Sequence, residues 1–116
     1  MRKLQSHLIG IDQGEVELFA DFKNGGEMWT GSGARERRKW VKFSEPFQKP
    51  PSVQVNLSLW DLGHEANIRA DLGAEAIGTD GFEMVFRTWG DTRVARVRLG
   101  WTAIGQVKGE DDWELY

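Results

Sequence analysis

The feature that most constrains this chain is an apolar alternation with a period of two. In SVQVNLSLWD, residues 52–61, Val53, Val55, Leu57 and Leu59 share one parity, and Gln54, Asn56, Ser58 and Trp60 the other. Successive side chains of a β-strand point to opposite faces, so the pattern predicts a half-buried strand. It recurs along the chain. Phe82, Met84 and Phe86 share a parity in GFEMVFRTW, as do Val97, Leu99, Trp101 and Ala103 in RVARVRLGWTAIGQV. Val16, Leu18, Ala20 and Phe22 alternate in EVELFADF, and Val41 and Phe43 point inward from the charged run RRKWVKF. NIRADLGAEAIG, residues 67–78, places Ile68, Ala70, Leu72, Ala74 and Ala76 on one face. Its alanines and glutamate also suit a helix, but the alternation and the central Gly73 favour a strand.

Turn chemistry separates these runs. Fourteen glycines and three prolines cut the chain into short pieces, which favours many strands over a few helices. TDG at 79–81 is a hairpin signal joining 67–78 to the strand after it. SEPFQKPP at 44–51 cannot form a regular ladder, and NGGEMWTGSGARE at 24–36 reads as a long loop. Six short strands joined this way predict an all-β, six-stranded antiparallel β-sandwich. Its interior should hold Val53, Val55, Leu57, Phe82, Met84, Phe86, Leu99 and Trp101. The 116 residues suit a single domain, 1–116, closed by an acidic tail over 106–116 whose Trp113 and Tyr116 order only if they dock.

Several classes of chemistry find no support. Net charge is −3, whereas general nucleic-acid binders are usually basic. The absence of cysteine removes disulfides and thiolate metal sites. No apolar run is long enough for a membrane span, and no signal peptide is read, which leaves the cellular address open. His7 and His64 are far apart and in no ligand pattern, so they read as surface histidines. GSGARE lacks the lysine of a phosphate loop, and RERRK reads as a solvated strand face rather than a phosphate contact. The serines have no histidine partner in a catalytic arrangement. Asp71 and Glu75 have the chemistry to cut glycosidic bonds, but on a strand they read as solvated. No cofactor motif appears, and a non-enzymatic role is expected.

Trp89 is the outlier. Parity places it with Glu83, Val85 and Arg87 on the polar face, at the lip of a turn beside Gly90 and Asp91. If strands 67–78 and 82–89 pair, Arg69 lies on the same sheet surface. A forked guanidinium, an indole plate and a carboxylate suit a sugar, which offers hydroxyl pairs and an apolar C–H face. The other reading is that Trp89 covers a core edge or packs in a subunit interface. Trp60 and Val85 also fall on outward faces.

An ordered set of motifs narrows the choice. F-x-x-P-F-x-x-P-P-x-V-x-V-x-L-S runs over 43–58, followed by Asp61, N-I-R at 67–69, T-D-G-F at 79–82, T-W-G-D-T-R-V at 88–94 and W-T-A-I-G at 101–105. Together, over about residues 37–105, they resemble the H-type lectin domain of snail agglutinins and discoidins. The resemblance implies a six-stranded sandwich, a homotrimer or a hexamer of stacked trimers, and galactose or N-acetylgalactosamine bound between protomers. It assigns glycan binding to Arg69 and Trp89, whose spacing matches the family. Gly90 stands where the snail agglutinin has a histidine, and Asp91 shapes the turn. Ala95 replaces a tyrosine of that cleft, and the loop residue that grips sugar hydroxyls falls near Ser32, with Trp29 and Arg35 as further candidate wall residues. An adhesive or fibre-like trimer whose sugar site has decayed is the second reading.

Overall fold

The computed structural model describes residues 1–5 and 8–109. His7 and residues 110–116 of the expected acidic tail lie outside the described residues. Among the described residues there are six strands: β1 (Ile9–Phe19), β2 (Arg35–Lys42), β3 (Ser52–Leu62), β4 (Asp71–Glu75), β5 (Gly81–Thr88) and β6 (Val94–Gln106). They form two antiparallel sheets, ordered β1-β6-β3 and β2-β5-β4. The all-β sandwich follows from the alternation, because each sheet hides one face against the other. Among the described residues, no helix is long and apolar enough to cross a membrane.

The two central strands carry the core. Phe82, Met84 and Phe86 of β5, and Val97, Leu99 and Ala103 of β6, have no exposed surface. Their rings interlock across the sandwich: Phe82 meets Trp101 edge-on at 5.5 Å, and Phe86 meets Phe19 of β1 at 5.7 Å. Phe43, just past β2, stacks on Phe82 at 5.8 Å. Val53, Val55 and Leu57 pack against this cluster but stay partly exposed, because β3 is an edge strand. The β4–β5 hairpin forms at the TDG turn, with Glu75 opposite Glu83.

The structure departs from simple parity where tertiary contacts override it. β1 starts at Ile9, well before Glu15, and ends at Phe19. Its extra residues include Gly14, which lies under Trp101: a Cβ there would sit 2.8 Å from the indole nitrogen. Two single-turn helices form, α1 (Asp21–Asn24), which ends where the loop expected at 24–36 begins, and α2 (Glu27–Thr30) within that stretch, whose last residues join β2. The buried Asp21 carboxylate organises them, accepting from the Met28 amide at 2.9 Å and from Arg37 at 2.8 Å. Phe22, expected on the inner face, is exposed because the chain has left the strand.

A bulge between Leu57 and Leu59 shifts the β3 register, so Leu62 rather than Leu59 packs against the core. The strand expected over 67–78 is only Asp71–Glu75. Ala76 adopts φ +50°, which ends the alternation and turns Ile77 toward the core. Ile68 is exposed. Val85, placed outward by parity, is only 1 % exposed within the single chain. It offers no surface for assembly, whereas Trp60 remains 49 % exposed.

Candidate functional site

The turn joining β5 to β6 carries Trp89, Gly90 and Asp91, and two buried threonines frame it. Thr88 and Thr92 are each 1 % exposed. The Thr88 hydroxyl donates to the Arg69 carbonyl at 2.6 Å. The Thr92 hydroxyl donates to the Asn67 carbonyl at 2.6 Å and accepts from the Arg69 amide at 3.0 Å. These bonds replace the missing ladder, so the N-I-R segment is held in place although it lies outside β4. Asp71 opposite Arg87 is the last pair of the β4–β5 ladder, and Arg69 and Trp89 each lie two residues beyond it.

Gly90 has φ +70°, a left-handed conformation that side chains with a Cβ adopt at a cost. A Cβ there would lie 3.7 Å from Arg69 Cδ, so the arginine stem runs alongside this glycine. The Arg69 guanidinium is 3.9 Å from the Asp91 carboxylate, and both side chains are largely solvent-facing. Asp91 also accepts from the Asn67 side chain at 3.4 Å and its amide at 3.5 Å. The Asn67 amide foremost, with a smaller contribution from the Arg69 charge, holds the Asp91 carboxyl below the usual aspartate range. Asp91 thus stays an acceptor over the whole neutral range.

The loop containing Ser32 is brought to the same turn. The Gly33 amide donates to the Gly90 carbonyl at 2.8 Å. Arg35, 6 % exposed, donates to the carbonyls of Gly33 at 2.9 Å, Met28 at 3.2 Å, and Glu27 and Gly90 at 3.3 Å. A fork of five N–H donors suits such a hub of main-chain oxygens. Sequence reading placed Arg35 in an exposed charged run, because only the folded loops create the carbonyl cage. Ser32 itself is exposed. Trp29 packs elsewhere, 5.2 Å from Phe22 and under the Arg93 guanidinium at 4.1 Å.

Trp89 is 44 % exposed. It borders a groove of about 700 Å³ whose walls include Arg35, Glu36, Asp71 and Arg87. Arg69, Gly90, Asp91 and Ser32 do not line that groove. The structure therefore gathers Arg69, Gly90 and Asp91 at the turn, and gives Trp89 a second polar neighbourhood that the sequence did not reveal. Ala95 is buried in β6 and presents nothing to this surface.

Beyond Trp89, the outer face of β2-β5-β4 is a charged lattice. Arg38 pairs with Glu36 and Glu83 at 2.6 Å and with Glu75 at 3.1 Å. Arg87 pairs with Glu36 and Glu75 at 2.8 Å. These hydrogen bonds hold the Glu36 and Glu75 carboxyls low, Arg38 acting most strongly on Glu36 and Arg87 on Glu75.

The family model of the H-type lectin domain matches residues 38–104. This chain belongs to the H-type lectin family. The H-type lectin match runs from β2 to β6, so it contains Arg69 and the Trp89 turn but leaves Ser32 outside. A Fuscovulum blasticum protein called "ATP synthase subunits region ORF 7" is 55% identical over 107 residues, covering 92% of this chain and 93% of that protein. A discoidin-1 polypeptide of Dictyostelium discoideum is 36% identical over 75 residues, covering 64% of this chain and 30% of that one. The structure of discoidin II from the same organism superposes with a TM-score of 0.74 at 24% identity, over 90% of this chain and 40% of that chain. This chain thus spans well under half of either discoidin, and it has the lectin-like fold of the family.

Proposed function

We propose that the chain is a non-enzymatic lectin of one domain that binds galactose- or N-acetylgalactosamine-type glycans, or others of similar shape, as a homotrimer or a stacked hexamer. The observation that carries this reading is the bonding of the Asn67–Arg69 segment to Thr88 and Thr92, which presents Arg69 beside the Trp89–Asp91 turn. Arg69 donates a forked pair of hydrogen bonds to sugar oxygens, Asp91 accepts from a hydroxyl, and Trp89 shields one apolar sugar face. Gly90 leaves room for the arginine stem, and the Ser32 loop supplies a flank.

The carboxyl groups support a binding role over catalysis. A glycosidase needs one carboxylic acid protonated near neutral pH. Here Glu36, Glu75 and Asp91 are all shifted the other way. The exposed Trp60 supports assembly, since a ring of three uses a heterologous interface that creates shared clefts.

A glycan array with soluble-sugar competition, run beside light scattering, tests the proposal. Competed glycan signal from a particle of about three times 13.2 kDa supports it. A second reading, an adhesive trimer module with a decayed sugar site, is favoured by buried Ala95 and by the lack of a carboxylate at Ser32. It predicts a trimer without array signal.

A further inference from the structure

We propose that the groove beside Trp89 is a second sugar subsite, so that the preferred ligand is at least a disaccharide crossing the indole. This rests on the carbohydrate-binding reading of the Arg69 turn. Three features of the groove carry it.

The first is shape and position. A space of about 700 Å³ is within the range of small-ligand sites, and it begins at a residue already bordering the first site. The indole of Trp89, with Ala34 and Ala70, gives the groove an apolar wall beside the charged Arg35, Glu36, Asp71 and Arg87.

The second is an unspent donor. Arg87 commits its Nε to Glu36 at 2.8 Å and one terminal nitrogen, Nη2, to Glu75 at 2.8 Å. The other terminal nitrogen, Nη1, faces the Asp71 carboxylate at 3.9 Å, beyond hydrogen-bond reach. Two salt-bridged carboxylates hold the guanidinium rigid, so this remaining amine group is pre-oriented.

The third is the acceptor across that gap. Asp71 has a side chain 62% exposed and makes no closer polar contact among the described residues. A donor and an acceptor nearly 4 Å apart are bridged by a group that both accepts and donates. A hydroxyl does so, accepting from Arg87 and donating to Asp71. Two neighbouring hydroxyls of one pyranose ring do it equally well. The cationic Arg35 and Arg87 balance the anionic Glu36 and Asp71 along the groove, so its lining favours neither a simple anion nor a simple cation. The groove therefore selects a neutral polyhydroxylated ring.

The experiment uses the full chain on an array carrying galactose, N-acetylgalactosamine and oligosaccharides that end in each. Affinities of the best monosaccharide and its best extension follow from competition. The expected result is that the extension binds about tenfold tighter than its terminal sugar, consistent with one additional charge-assisted hydrogen bond. Asp71→Ala should erase that gain and move the monosaccharide less than twofold. Arg69→Ala should weaken both. The proposal is overturned if extension adds no affinity, or if Asp71→Ala weakens monosaccharide and extension equally. An array with no glycan signal at all overturns it together with the lectin reading, which sets that failure apart from the others.

Discussion

The Arg69 amide donates to the Thr92 hydroxyl at 3.0 Å, so an arginine outside every strand takes its position from a side chain 23 residues away. The same hydroxyl donates onward to Asn67, and Thr88 takes the Arg69 carbonyl. Three main-chain groups of N-I-R thus depend on two buried hydroxyls.

Removing those hydroxyls without changing shape should loosen the segment. Thr92→Val leaves the Arg69 amide and the Asn67 carbonyl unpaired and should cost about 1–3 kcal/mol. Thr88→Val should cost less, since it strands one carbonyl. Serine at either position should restore most of the loss. Chemical denaturation reads the stability, and glycan competition reads the accompanying loss of binding.

Side chains on the turn should behave oppositely. Arg69→Ala removes an exposed group, so the fold and assembly should survive while glycan binding falls at least about tenfold. Trp89→Ala should weaken binding comparably. Calorimetry and sizing on both variants separate the outcomes: normal binding puts the site elsewhere, and dissociation to monomers makes these residues interface structure.

Arg35 should be intolerant of lysine. A point ammonium cannot serve four carbonyls arranged around a planar fork. Arg35→Lys should destabilise by about 1–3 kcal/mol and speed exchange of the Gly33 amide, which donates to Gly90. Hydrogen exchange measures this directly. Unchanged protection at Gly33 would show that the loop is held by other contacts.

Acid should weaken the fold through the charged lattice. Glu36 and Glu75 titrate below their ordinary value of 4.5 in the folded chain. A depressed folded pKa stabilises above the unfolded pKa, and that contribution is lost as pH falls through the folded one. Urea midpoints should hold from neutrality to about pH 5 and decline below about pH 4. Glu75→Gln should flatten that decline, and high salt should shrink the lattice contribution at neutral pH.

Phe86 tests the sandwich itself. It has no exposed surface and packs against Phe19 across the two sheets. Phe86→Ala should cost about 3–5 kcal/mol by denaturant titration. A loss under about 1 kcal/mol would mean that the two sheets do not meet there.

Much of this was written in the sequence. Alternation in β5 and β6 identified the buried face, because a strand's side chains can only go up or down. The TDG turn predicted the β4–β5 hairpin, since its chemistry is local. The spacing of Arg69 and Trp89 within ordered motifs pointed to the lectin family. Other features depended on residues far apart in the chain. β1 runs back to Ile9 because Gly14 lets Trp101 lie across it, a contact invisible in a glycine-rich stretch. The short helices need Asp21 buried beneath Met28 and Arg37. The bulge before Leu59 and the turn at Ala76 break parity for reasons set by neighbouring strands. Arg35 became a hub only when α2, the segment after it and the β5–β6 turn brought their carbonyls to it. The groove beside Trp89 likewise exists only because β5 brings Arg87 between Glu36 of β2 and Asp71 of β4. Periodicity determines which side of a strand is buried; which strands become neighbours, and so which side chains share a site, is decided by packing.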